Sequence, residues 1–138
     1  MRSISFIIPG IPTAWARART HGKIHFTPGK QRYAMSVIQT IAHEAMAGQN
    51  AISVPVSMTI FAVWPWPKSW SEKKRRKQGA HYKTSKPDAD NVGKLVSDSL
   101  NGIVFNDDAQ VVDMRVIKQY GLNAQTRVVI DTLQEEEN

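Results

Sequence analysis

Two short acidic stretches of this 138-residue chain carry the residue types that could do chemistry. Asp88 and Asp90 stand two positions apart, Lys94 follows them, and Asp107 and Asp108 form a second pair further along. Carboxylate oxygens are the ligands that Mg²⁺ prefers, and Mg²⁺ held in this way can polarise a phosphodiester and activate water to hydrolyse it. If the segment between the two stretches packs back on the following strands, the spacing predicts one metal site built from both, with Lys94 offsetting charge on the phosphoryl oxygens.

The same aspartates also have an ordinary structural interpretation. Aspartate is a frequent N-cap, because its side chain accepts a hydrogen bond from the first turn of a helix. An Asp-Asp pair between two strands is equally common in turns. Spacing alone therefore leaves both interpretations open, a metal site and a set of caps and turns.

Charge is distributed very unevenly along the chain. Residues 1–87 contain 14 basic and 2 acidic side chains, whereas residues 88–138 contain 4 basic and 10 acidic ones. A basic segment of this size is typical of a surface that binds nucleic acid, and it would offset the repulsion between carboxylates and DNA phosphates. We expect phosphate contacts from the basic loop 68–86 and from two arginines nearer the amino terminus: Lys73, Lys74, Arg75, Arg76, Lys77, Lys86, Arg17 and Arg19.

Composition excludes several classes of protein. Hydrophobic residues make up 41% and charged residues 22% of the chain, which favours a folded globular domain over a disordered one. The absence of cysteine excludes disulfides, thiolate nucleophiles and cysteine-ligated zinc, and suits a reducing cytoplasm. No apolar run approaches the roughly 20 residues that cross a bilayer, so we expect no membrane association.

Hydrophobic periodicity predicts an α+β (mixed α/β) fold with the order β-α-β-loop-α-β-β. We expect one sheet of about four to five strands covered by two helices, as a single domain over 1–134 with a solvated acidic tail at 135–138. A short helix could open at Ser71 inside the basic loop. The predicted strands are 4–8, 54–66, 103–105, 111–120 and 126–133, the predicted helices are 29–48 and 90–100, and a short hairpin is expected at 23–27.

Three segments together resemble the RusA family of Holliday junction resolvases, whose pattern is D-x-D-N-x-x-K, a helical D-x-L, then D-D-x-Q-V. The matching segments are Lys86-Pro87-Asp88-Ala89-Asp90-Asn91-Val92-Gly93-Lys94, Asp98-Ser99-Leu100-Asn101-Gly102 and Asn106-Asp107-Asp108-Ala109-Gln110-Val111. The resemblance also extends to the Pro-Trp segment and the strand order, as in phage and prophage members. Gly93 departs from the pattern, and a glycine inside a helix costs about 1 kcal/mol relative to alanine.

The resemblance implies a RusA-like fold and a Mg²⁺-dependent endonuclease, with Mn²⁺ as a substitute, acting in DNA recombination and repair. It implies a homodimer that nicks opposing strands of a four-way junction. By position, Asp88, Asp90 and Asp108 would be the catalytic metal ligands and Lys94 the catalytic lysine, with Asp107 the next candidate ligand. A dimer also suits the approximate two-fold symmetry of such a junction, because resolution needs two cuts.

Two other functions fit the residues as well. A metal nuclease could act mainly on flaps or replication forks, which a comparison of substrates would reveal. A basic DNA-binding protein without catalytic activity would use its aspartates only as caps and turns, and its DNA binding would be indifferent to Mg²⁺.

Overall fold

A computed structural model describes residues 1–16, 19–21, 24–26, 29–79 and 81–137. Its regular elements are β1 (Ser3–Pro9), β2 (Arg19–His21), β3 (Ile24–Phe26), α1 (Gly29–Met46), β4 (Val56–Pro65), α2 (Glu72–Arg76), β5 (His81–Tyr82), α3 (Ala89–Leu100), a 3₁₀ turn (Asp108–Gln110), β6 (Val111–Gly121) and β7 (Gln125–Thr132).

Five of the strands form one mixed sheet in the order β1-β7-β4-β6-β5. β7 runs antiparallel to both β1 and β4, whereas β6 runs parallel to β4. The long connection between β4 and β6 contains α2, β5 and α3. β2 and β3 pair antiparallel with each other in a separate two-stranded sheet, so the pairing involves residues earlier than the hairpin expected at 23–27, whose residues 23 and 27 lie outside the described ones. The predicted α+β class and the number of strands are confirmed.

The central strand β4 explains why the fold has two layers. Its side chains alternate between buried and half-buried along its length, the period-two pattern of a strand with one face in the core. Met58, Ile60 and Ala62 on the buried face are fully inaccessible to solvent. α1 and α3 cover this face, as the apolar spacing predicted, and both helices contribute fully buried side chains to the same core.

Gly93 allows α3 to lie close to β6. A Cβ atom at this position would stand 2.5 Å from Sδ of Met114 and 3.3 Å from Cγ2 of Val116. The glycine that the sequence marks as a weak point in the helix therefore serves close packing of helix on sheet.

No helix among the described elements is long and apolar enough to cross a membrane.

The prediction of a strand at 103–105 is wrong. These residues form a turn after α3, in which Ile103 and Val104 donate backbone hydrogen bonds to the carbonyl of Leu100, and Phe105 makes only isolated bridges to Ile52 and Asn101. Val104 and Phe105 are apolar because they fill the core, where both are fully buried. The fifth strand is instead β5, two residues long, within the loop that polarity alone predicted to be irregular.

The acidic carboxyl terminus is less solvated than predicted. The guanidinium of Arg2 donates two hydrogen bonds of 2.7 Å to the carboxylate of Glu136, and both side chains are about a quarter exposed. This bidentate hydrogen bond lowers the pKa of Glu136 below its ordinary value and raises that of Arg2. The terminus is thus tied to β1.

Candidate metal and nucleic-acid site

Asp88 and Asp90 lie at the amino-terminal end of α3. Asp88 occupies the N-cap position with an extended backbone (φ −69°, ψ 149°), yet its side chain makes no capping hydrogen bond. Asp90 lies in the first turn, and both residues are exposed. Within the described part of the chain, neither carboxylate has a hydrogen-bond or ion-pair partner. The capping interpretation therefore does not account for Asp88.

Asp107 caps the 3₁₀ turn, a structural role that the carboxylate of the next residue, Asp108, does not have. Its carboxylate accepts a hydrogen bond of 3.1 Å from the backbone N–H of Ala109, and its own N–H donates to Oε1 of Gln110 at 2.9 Å, which completes a capping box. Nε2 of Gln110 in turn donates to the carbonyls of Ile52 and Val54. This network fixes the 3₁₀ turn against the chain that leads into β4.

Asp108 is held by its backbone and not by its carboxylate. Its N–H donates a hydrogen bond of 2.7 Å to Oδ1 of Asn101, the residue that ends α3. Among the residues that the structure describes, no side chain pairs with the Asp108 carboxylate, which is half-buried. Sequence analysis missed Asn101 as a positioning residue, although its place at the end of the predicted helix was a usable signal.

The expectation that one chain gathers both acidic stretches is wrong. Asp88 precedes α3 and Asp108 is attached to the residue after it, so the helix separates their backbones by about 20 Å at 1.5 Å per residue. Two oxygens on one Mg²⁺ lie within about 4 Å of each other, because each is about 2 Å from the ion. Accordingly, no three His, Asp or Glu side chains in the described ranges lie close enough to hold a metal ion.

Lys94 lies on the exposed side of α3, one turn beyond Asp90. Its ion-pair partner is Asp98, one turn further along the helix, and not Asp90. Its Nζ is 3.7 Å from the carboxylate of Asp98 and 4.8 Å from the centre of the Trp15 ring. The backbone N–H of Trp15 donates to the carbonyl of Asn91 at 2.8 Å, which attaches the segment after β1 to α3. Nothing in the sequence indicated this contact of Trp15.

The basic loop contains the short helix α2, opened by Ser71 as predicted. Oγ of Ser71 accepts a hydrogen bond from the backbone N–H of Lys74, 3.2 Å away. Three of the five cations at 73–77 are engaged inside the loop. Nζ of Lys74 lies 4.2 Å from the Trp70 ring, the Arg75 guanidinium lies over Trp66 and donates to the carbonyl of Pro67, and Nε of Arg76 lies 3.6 Å from the carboxylate of Glu72. Lys73, Arg76 and Lys77 are exposed and line an open groove with His81.

The remaining predicted phosphate contacts differ in how they are placed. Lys86 is exposed and lies two residues before Asp88, between the basic loop and α3. Arg17 lies outside the described residues, and Arg19 begins strand β2. Trp70 packs edge-on against His81 and Tyr120, and Trp64 is buried on the core face of β4. These two tryptophans therefore build the protein interior and the base of the loop.

Comparisons with known proteins agree with the resemblance of the motifs. Residues 8–131 match the family model described as endodeoxyribonuclease RusA, which covers both acidic stretches and the basic loop. The chain is 36% identical to an uncharacterised protein, YqaN of Bacillus subtilis strain 168, over 94% of this chain and 96% of that protein. Family members are metal-dependent nucleases that act on branched DNA. The chain thus belongs to the RusA family of endodeoxyribonucleases.

Proposed function

We propose that this protein is a Mg²⁺-dependent endonuclease that resolves four-way DNA junctions by paired nicking of opposing strands, in DNA recombination and repair. The observation that carries the proposal is the state of Asp88, Asp90 and Asp108. All three match the family motif, and none of the three carboxylates is engaged by another described residue, whereas Asp107 is occupied as a cap. Because Asp88 and Asp90 are exposed and Asp108 is half-buried, their carboxylates are open to a ligand from outside the chain.

The donor set suits a hard divalent cation. Three carboxylates supply only oxygen ligands, which is the chemistry of Mg²⁺ and Mn²⁺ sites and not of structural zinc. Asp88, Asp90 and Asp108 would hold the ion, with Asp107 close by. When bound, such a cation supplies Lewis-acid activation of the scissile phosphate and of the attacking water. The ammonium of Lys94 would offset negative charge on the phosphoryl oxygens.

Since one chain separates these ligands, we further propose that each metal site forms between two copies of the protein. β6 offers the surface for this pairing. β5 pairs with β6 only at residues 119–120, and within the described chain no strand pairs with the outer edge of β6 at 111–117. Residues 112–115 are all exposed, including Val112 at 64% and Met114 at 42%. Val112 and Met114 alternate along this edge with the charged Asp113 and Arg115, and an unpaired strand edge with exposed apolar side chains is a template for pairing with another strand.

The direction of α3 makes such a dimer bring the ligands together. α3 runs antiparallel to β6, because Pro87 contacts Lys118 near one end of the strand and Asn101 contacts Asp108 before the other. Antiparallel pairing of two β6 edges about a two-fold axis near Met114 would therefore set the Asp88 end of one copy beside the Asp108 end of the other. Paired strands lie about 4.8 Å apart, so the Asp88 end of one copy would lie nearer to the Asp108 end of its partner than the distance of about 20 Å that separates the two within one chain. The arrangement would give two sites per dimer, one for each strand to be cut.

The exposed cations Lys73, Arg76, Lys77 and Lys86 would hold the DNA. They lie in the loop between β4 and α3, next in the chain to Asp88, so phosphates bound there would lead to the proposed metal site. Binding through phosphates depends strongly on salt and carries no information on base sequence. In this scheme the carboxylates would hold the metal ion that supplies the cleavage chemistry, and the loop would position the junction.

A junction-cleavage assay tests the proposal. Wild type and Asp90→Asn are each incubated with a synthetic four-way junction and Mg²⁺, and with flap, fork and duplex substrates of the same sequence. We expect symmetric paired nicks in the junction by wild type, and junction binding without nicking by Asp90→Asn. Faster cutting of flaps or forks would assign the nuclease to those substrates. Binding that is indifferent to Mg²⁺ with no cutting of any substrate would show a DNA-binding protein without catalytic activity.

A further inference from the structure

Lys118 of β6 makes an unusual set of contacts for a lysine near the surface. Its Nζ donates hydrogen bonds of 2.8 Å to the carbonyl of Ser85 and 2.6 Å to the carbonyl of Pro87. Its own backbone carbonyl accepts a hydrogen bond of 2.9 Å from the N–H of Lys83. One residue of the sheet thus holds the segment 83–87 from both its backbone and its side chain.

This segment has few other ways to stay in place. Residues 83–88 belong to no helix or strand, and proline at 87 has no N–H to donate. Among the residues that the structure describes, Ser85 makes further hydrogen bonds only by its hydroxyl, which accepts from Nζ of Lys83 at 2.7 Å and contacts the Tyr120 hydroxyl at 3.4 Å. The Ser85 hydrogen bond, together with the adjacent Lys83 ammonium, lowers the pKa of Tyr120. The ammonium of Lys118 therefore supplies the two donors that fix the backbone just before α3.

The position of Asp88 depends directly on this contact. Asp88 follows Pro87, and its carboxylate has no partner of its own among the described residues, so its backbone alone determines where it points. Its carbonyl accepts the first hydrogen bonds of α3 from Asn91 and Val92, at 3.1 and 3.2 Å, which fixes the downstream side. Lys118 fixes the upstream side.

We propose that Lys118 is a positioning residue for the metal site: by holding the carbonyls of Ser85 and Pro87, it sets Asp88 in the orientation that binds a divalent cation. The inference rests on the proposed function, in which Asp88 is a metal ligand. Lys118 acts through the backbone and touches neither the metal nor the DNA. Groups that orient metal ligands in this way typically change metal affinity by about 10- to 100-fold when they are replaced.

The test measures Mn²⁺ binding and nicking in Lys118→Met, which keeps the length of the side chain and removes its donors. The control is Arg127→Met, which removes one positive charge from the opposite face of the sheet, where Arg127 lies over Phe61. Lys118→Arg retains donors and serves as the conservative variant. For each protein, the Mn²⁺ affinity is measured by calorimetry without DNA, and the rate of nicking of a four-way junction is followed against Mn²⁺ concentration.

We expect Lys118→Met to bind Mn²⁺ about 10- to 100-fold more weakly than wild type and the control. Its nicking rate at saturating Mn²⁺ should stay within a few-fold of wild type, because added metal compensates for a misplaced ligand. A purely structural role would lower the saturating rate and the thermal stability and leave the half-saturating concentration of metal unchanged. Lys118→Arg should bind Mn²⁺ more tightly than Lys118→Met and more weakly than wild type. If Lys118→Met does not fold, the Mn²⁺ affinity of Lys118→Arg relative to wild type tests the role of Lys118.

The outcomes separate this inference from the proposed function. Mn²⁺ affinity that is equal in wild type and in a folded Lys118 variant overturns the role of Lys118 and leaves the nuclease intact. Wild type that binds Mn²⁺ but nicks no DNA overturns the proposed function, while the calorimetry still decides on Lys118. Wild type that binds no Mn²⁺ overturns both.

Discussion

Subunit complementation tests whether the metal site is shared between two copies. Asp90→Asn removes a ligand from the beginning of α3, and Asp108→Asn removes one from the far end, about 20 Å away in the same chain. Each variant alone should lose nicking by a factor of about 10² or more, because every site in its homodimer lacks one ligand. The two variants are then combined in one dimer, each carrying a different affinity tag.

The expected activity of this heterodimer follows from the geometry. One of its two sites combines both altered residues and is inactive. The other combines the native Asp88 and Asp90 of one copy with the native Asp108 of the second copy and is intact. The heterodimer should therefore nick junctions at about half the wild-type rate and leave most of them nicked on one strand only. If each site lay within one chain, both sites would lack a ligand and the heterodimer would be as inactive as its parents.

The assay uses tandem affinity purification to isolate heterodimers and a junction labelled on both cleaved strands. A heterodimer of Asp88→Asn with Asp90→Asn is the matched control, because both changes lie on the same stretch and damage both sites in either arrangement. No recovery of nicking in the heterodimer of Asp90→Asn with Asp108→Asn, with its dimeric state verified by sedimentation, would refute the shared site.

Three further changes probe the interface, the termini and the basic loop. Val112→Asp should alter the free energy of unfolding of the monomer by no more than about 0.5 kcal/mol, because the side chain is 64% exposed, but should abolish dimerisation and nicking together. Glu136→Gln should lower the stability by about 1 kcal/mol or less at pH 7. This difference should vanish as the pH falls below 4.5, through the lowered pKa of the carboxylate that Arg2 holds. Lys73→Gln should weaken junction binding at all sequences alike and reduce the slope of log affinity against log salt by about one.

Each of these outcomes has a direct measurement. Sedimentation and chemical denaturation separate the two effects of Val112→Asp, and a variant that remains dimeric would count against the β6 edge as the interface. Denaturation at several pH values reports on Glu136, and a stability difference that does not decrease as the pH falls below 4.5 would contradict the ion pair as its source. Binding at several salt concentrations tests Lys73, with Lys74→Gln as the comparison, because Lys74 lies over Trp70 and should affect mainly the loop.

Hydrophobic periodicity was enough to predict most of the fold. The apolar positions of α1, α3 and β4 recur at helical or strand spacing because each of these elements buries one face in a single core. The turn at 103–105 was mistaken for a strand because burial also selects β-branched and aromatic residues where the chain has no strand partner. β5 has only two residues, and its pairing with β6 is a contact between segments far apart in sequence, so the local sequence pattern could not predict it.

The chemistry of the site could be predicted from the sequence, since aspartates, a lysine and a block of cations each have properties that do not depend on their neighbours. The distances between these residues could not, because they depend on the tertiary structure. Whether Asp108 meets Asp88 depends on the length and direction of α3, and both place the two residues at opposite ends of this helix. The roles of Asn101, Trp15 and Lys118 likewise arise from contacts between segments far apart in sequence, which exist only once helix and sheet have packed together.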